Sequence, residues 1–179
     1  MRHTLLLVLL AACVPLFAQA QNGPEQPTLK SILLEQLRST HNKAEWFVPA
    51  NTAVAGLTAE QASWSDSRGN HSVGQLVSHL IFWDRRALDK FEGKPQAKYD
   101  GNNDATFTSF DAKHWNADVK ELDRVMTEWE TAVQSADESK LLKWYSTIAH
   151  IGTHNAYHIG EIVYVRKEQG SWNPASGVK

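Results

Sequence analysis

His150-Ile-Gly-Thr-His154-Asn-Ala-Tyr-His158-Ile-Gly-Glu161-Ile-Val163 is the most informative segment of this 179-residue chain. Apolar Ile148, Ile151, Ile162 and Val165 recur at helical spacing around it, and no proline interrupts Thr147 to Gly170, so it reads as one long final helix. At 3.6 residues per turn, His154 and His158 differ by only about 40° around the axis, close enough for one metal ion to reach both rings. They share their face with Ile151, Ile162 and Val165, the face expected to point into a core. Imidazoles turned inward without partners cost on the order of 1–3 kcal/mol each. A metal ion would remove that cost.

Working outward, this helix 4 runs from about Ser146 to Gln169. Gly170 is expected just past its end, with Arg166 and Lys167 in the last turn complementing the dipole. The tail 171–179 carries glycine and proline breakers and reads as frayed, with Trp172 able to tuck back. Ahead of helix 4, Ser135 to Lys143 reads as a polar turn with a short helical piece at Leu141 and Leu142. Helix 3 precedes it, capped by Asn116, with Val119, Leu122, Val125 or Met126, Trp129 and Val133 inward and Lys120, Glu121, Asp123, Arg124 and Glu128 in water. From Gly93 to Trp115 the composition turns to Gly, Pro, Asn, Asp and Lys without periodicity. So long a connection inside a compact domain suits a crossover joining parallel helices and covering the mouth of a pocket. His114 within it reads as a surface residue.

Helix 2 starts at Ser72, with Gln75 completing a capping box, and stops at Gly93. Val73, Leu76, Val77, Leu80 and Trp83 form its inner face, and His79 lies on that face. A Thr-x-x-Gln capping box at Thr58 predicts one short turn before it. Helix 1 begins at Thr28 with an apolar stripe of Leu29, Ile32, Leu33, Leu37, Ala44 and Phe47 or Val48, and Pro49 kinks or ends it, with Asn51 to Ala55 a further turn. His41, beside that stripe, reads as a core-edge histidine or a donor to the site from outside.

Length fits a single domain with a core of its own. Net charge is −2 with acids and bases interspersed, so no basic footprint for nucleic acid exists. Residues 1–20 read as an export signal: Arg2 and His3 precede the apolar run Leu5 to Leu10, and Phe17-Ala18-Gln19-Ala20 offers a small-x-small cleavage site. The run is too short for a membrane span of about 20 residues. Leu10-Ala11-Ala12-Cys13 is a rival lipoprotein box, which would anchor the chain through Cys13. The domain is then expected over 21–170, led in by a linker through Gln26, with localisation periplasmic or secreted. Cys13 is the only cysteine, and cleavage after Ala20 removes it. Cysteine nucleophiles, redox dithiols and thiolate-bound zinc are then excluded.

His79 on helix 2 with His154 and His158 on helix 4 suits a divalent metal held between facing helices, with a coordination position left open for water or substrate. Zinc or nickel suits such a donor set. The zinc-protease helix motif is absent, because Asn155 follows His154 where that chemistry needs a glutamate base.

Two segments together resemble the DinB/YfiT-like family of metalloenzymes: His71-Ser-Val-Gly-Gln-Leu-Val-Ser-His79-Leu80 and His154-Asn-Ala-Tyr-His158-Ile-Gly-Glu161-Ile162, followed by Val165-Arg-Lys-Glu-Gln-Gly170. The resemblance runs from about Thr28 to Gly170. It implies an all-α four-helix bundle with a long helix 2 to helix 3 crossover, and His79, His154 and His158 as the metal triad. Where the family pattern has Gly-Gln after the second histidine, this chain has Gly160-Glu161. Glu161 is the candidate catalytic residue, as a base, a water-orienting group or a fourth ligand; otherwise it is a solvated acid or pairs with Arg86 or Lys167. Trp83 and Tyr157 are candidate pocket walls or plain core. Family members with assigned activities are thiol-dependent transferases and isomerases, but export would take this chain away from cytosolic thiols. The expectation is a metal-dependent transferase or hydrolase using a metal-activated thiol or water, against a non-catalytic exported bundle binding metal or a partner. Expected partners are a small-molecule substrate and, as an alternative to a monomer, a second copy in a homodimer.

Overall fold

The computed structural model describes residues 26–66, 68–108 and 110–177. The expected export signal, Cys13 and most of the linker lie outside the described residues. Described regular structure is entirely helical: α1 (Leu29–His41), α2 (Ala50–Val54), α3 (Ala59–Ser63), α4 (Val73–Glu92), α5 (Trp115–Ser135) and α6 (Glu138–Glu168), with short 3-10 turns at Asp104–Phe107, Ala112–His114 and Pro174–Ser176. None of these helices is long and apolar enough to cross a membrane.

Starts and stops follow local chemistry. Thr28, Thr58 and Ser72 each accept from the backbone three residues on, and Ser31, Gln61 and Gln75 return the bond to complete three capping boxes. Gly93 ends α4 in the left-handed region at φ 74°, a conformation that costs a side-chain-bearing residue about 1 kcal/mol or more.

Three boundaries differ from those read in sequence. α1 closes at His41, and Pro49 serves instead as the cap of α2. The buried stripe of α1 is Leu33, Leu34 and Leu37, whereas Ile32 is 57% exposed. α5 begins at Trp115 rather than after Asn116, because Trp115 is itself buried, its indole N–H donating to the Leu57 carbonyl at 2.9 Å. The turn expected near Leu141 is the opening of α6, which Asp137 caps by accepting from the Lys140 N–H.

α1 and α4 each pack against both α5 and α6, which makes a four-helix bundle. One apolar cluster joins the first halves of α4 and α5 (Val73, Leu76, Leu80, Trp115, Leu122) to the far end of α6 (Ile159, Ile162, Val165). A second joins their later halves (Leu88, Phe91, Val125, Trp129) to α1 and the near end of α6 (Leu141, Ile148, Ile151). α4 and α5 are therefore parallel and α6 antiparallel to both. Residues 93–114 must return along the bundle, and this is the expected helix 2 to helix 3 crossover.

A polar layer separates the two clusters along α4 and α6. Fully buried Asp84 accepts from Asn155 Nδ2 at 3.0 Å, and its backbone carbonyl takes the Trp129 indole N–H at 3.0 Å. His154 and His158 fall in the same gap on α6, between Ile151 and Ile159, and His79 faces them from within the first cluster's stretch of α4. At the far end Arg166 is buried instead of facing water. It donates to the Ala53 and Ser171 carbonyls at 2.6 and 3.0 Å and lies over the Trp172 ring, which fastens α2 and the tail onto α6.

Candidate metal centre

α4 and α6 bring the three histidines together. One ring nitrogen from each of His79, His154 and His158 lies within 4.8 Å of the others, a group that can hold a metal ion. His79 Nε2 and His154 Nε2 are 3.1 Å apart. The remaining ring pairs are close as well, with His158 centroids 4.7 Å from His79 and 4.6 Å from His154.

Neighbouring groups fix two of the rings. The Thr106 hydroxyl spends its proton on the Asn103 carbonyl at 2.6 Å, so its contact with His79 Nδ1 at 2.5 Å must be accepted from an Nδ1–H. That tautomer leaves the His79 Nε2 lone pair facing the other two histidines. On α6 the Glu161 carboxylate lies 2.6 Å from His158 Nδ1, which fixes the proton there and leaves the lone pair on Nε2. Phe107 stacks on His79 at 3.9 Å between centroids, with His71 at the same distance on its other face.

Electrostatics favour the ligand form. Burial, reinforced by His158 and His154, pushes His79 down to about 3, and burial with His158 pushes His154 down to about 4. Both rings are neutral near pH 7, with a lone pair to offer. The hydrogen-bond set is incomplete on its own terms: His154 Nδ1 is buried without a partner, and the lone pairs that His79 and His158 keep on Nε2 have at most the single N–H of His154 between them. Three imidazole lone pairs converging with so few internal partners fit a divalent cation of the kind that nitrogen donors prefer.

The cluster opens onto a cavity of about 850 Å³. Trp83 and Tyr157 both line it, so each is wall; Tyr157 is 65% exposed and cannot be core. Glu161 touches His158 and is not among the lining residues, while Arg86, one of its expected partners, donates to the Ala97 carbonyl instead. His114 is exposed beside Asp111. His41 is buried away from the cluster, its Nδ1 and Nε2 meeting Glu130 and Asp123 at 2.6 and 2.9 Å. Sequence reasoning missed Asn103, Thr106 and Phe107, all from the crossover. Asn103 also accepts the Trp83 indole N–H at 3.2 Å, which fastens the crossover to α4 beside the cluster.

Comparison with curated proteins found no match, and neither did comparison with solved structures. A family model described as the DinB superfamily matches residues 49–162, a span holding all three histidines, Glu161 and the crossover residues around them, and by that match the chain belongs to the DinB superfamily.

Proposed function

We propose that this chain is a divalent-metal enzyme of transferase or hydrolase type, with His79, His154 and His158 as ligands and zinc or nickel as the ion. The observation that carries the reading is the pre-set tautomer pair: Thr106 and Glu161 hold the protons of His79 and His158 on the nitrogens that face away from the cluster. A purely structural histidine cluster has no need of lone pairs aimed at one another. A divalent ion held there supplies Lewis acidity, which turns a water or a thiol into a nucleophile near neutral pH. The chain's own residues orient the ligands through Thr106 and Glu161, cover one ring face with Phe107, and leave the other side open to a small-molecule-sized cavity. Residues 1–20 support a further part of the reading, that this chemistry is carried out after export.

Metal analysis of protein purified without chelator or nickel resin tests the assignment. About one zinc or nickel per chain is expected, falling to background in His154→Ala and His158→Ala. Wild-type protein that stays metal-free after incubation with either ion would overturn it. N-terminal sequencing of protein recovered from the cell envelope tests export separately, with a start at Gln21 expected.

A further inference from the structure

The cavity that begins at the histidines continues well past them. On α4, His79, Trp83, Arg86 and Lys90 all line it, at successive spacings of four, three and four residues, which sets them on one stripe of the helix. Antiparallel α6 supplies the facing wall through Ile151 and Trp144. At 1.5 Å per residue, Arg86 is about 10 Å and Lys90 about 16 Å from His79 along the axis.

Charge at that far end is one-sided. Arg86 donates to the Ala97 carbonyl and leans over the Tyr99 ring, yet neither it nor Lys90 forms an ion pair among the described residues, and no carboxylate lines the cavity. Adjacent Arg85 shows how the protein treats a cation it means to neutralise, because Glu121 and Glu128 both pair with it. Two unpaired cations beside two tryptophans present a local positive potential next to flat apolar surface, the complement of an amphipathic anion.

We propose that the cavity takes an organic anion with a flat apolar body: a carboxylate or sulfonate meets Arg86 and Lys90, the body lies between Trp83 and Trp144, and the opposite end reaches the histidines. The identification of that end as the reacting one rests on the metal-enzyme reading; the anion site does not.

Fluorescence titration of the protein as purified tests it, with 8-anilinonaphthalene-1-sulfonate as the anionic probe and N-phenyl-1-naphthylamine as its uncharged counterpart. The sulfonate is expected to bind one per chain, and Arg86→Gln with Lys90→Gln together should weaken it about tenfold or more, since charge-assisted bonds are lost. The uncharged probe should change less than about twofold, and Lys120→Gln on the wet face of α5 should affect neither. Arg86 also holds the crossover, so exposed Lys90→Gln serves as the variant without folding risk, expected to weaken the sulfonate roughly threefold by itself. Equal weakening of both probes, or no weakening of the sulfonate in Lys90→Gln and the double variant, overturns the proposal. Zinc content measured on the same samples separates the two readings: Lys90→Gln should weaken the sulfonate while keeping whatever metal the wild type holds, and wild-type protein that shows the expected probe pattern without metal keeps the anion site and removes the metal-enzyme reading.

Discussion

Thr106 Oγ1 lies 2.5 Å from His79 Nδ1 and passes its own proton to the Asn103 carbonyl. A threonine twenty-seven residues along the chain thus decides which nitrogen of a buried histidine is free. Thr106→Val keeps the shape but removes the acceptor. It is expected to lower zinc or nickel affinity about 10–100-fold, with Thr106→Ser restoring most of the loss. Competition against a chromogenic chelator reads this directly, and equal affinities for wild type and Thr106→Val would show that the tautomer is fixed by something else.

His41 gives the contrasting case. It is as buried as His79, but both of its nitrogens are spent on Glu130 and Asp123 of α5. His41→Ala should leave metal content unchanged while costing about 1–3 kcal/mol of stability in a urea titration, because two carboxylates lose their common partner. Metal loss equal to that in His154→Ala would mean that the histidine variants act through unfolding. His114→Ala, at an exposed site, should alter neither quantity.

Why one histidine could be assigned from sequence and its partner could not is a matter of periodicity. His154 and His158 repeat at the spacing of a helix, and His79 falls among Leu76, Leu80 and Trp83, so each could be placed on an inner face before any packing was known. Thr106 lies in a segment with no period. Its position depends on the crossover returning along the bundle, a tertiary fact with no local signature. The opening of α6 was hidden for another reason: of its first ten residues only Leu141 is buried, and a single apolar residue makes no stripe. Asp84 did leave a trace, since it sits four residues from both Leu80 and Leu88, on the face that those two bury.

Asp84 makes stability depend on pH. Burial, only partly opposed by Asn155 and Arg85, raises its carboxyl to about 7. The folded chain therefore keeps a proton that the unfolded chain, with an ordinary value of about 4, gives up. Stability from this source is present in full below about pH 4 and is lost as pH rises through about 7, at a rate on the order of 1 kcal/mol per pH unit within that window. Above it the slope vanishes. Asp84→Asn, which cannot ionise, should flatten the profile and gain on wild type steadily as pH rises. Urea titrations at several pH values across the window check this, and parallel profiles for the two proteins would place the proton elsewhere.

Glu161 is the carboxylate nearest the histidine cluster on α6, and it rests on His158 Nδ1 at 2.6 Å rather than in the cavity. Such a contact holds a ring and its tautomer. Three variants separate the roles. If Glu161 acts as a positioning residue, Glu161→Gln still offers an oxygen acceptor to the Nδ1–H and should keep metal affinity within about tenfold, whereas Glu161→Ala should lose about 10–100-fold. Glu161→Asp keeps the charge but shortens the reach, and should fall between them. A base or a direct ligand would give a different order, with Gln as damaging as Ala because neither can take a proton or supply a negative charge. Metal affinity of the three variants, each checked for unchanged helical content, therefore ranks Gln above Ala if the carboxylate works through His158, and ranks them together if it works on its own.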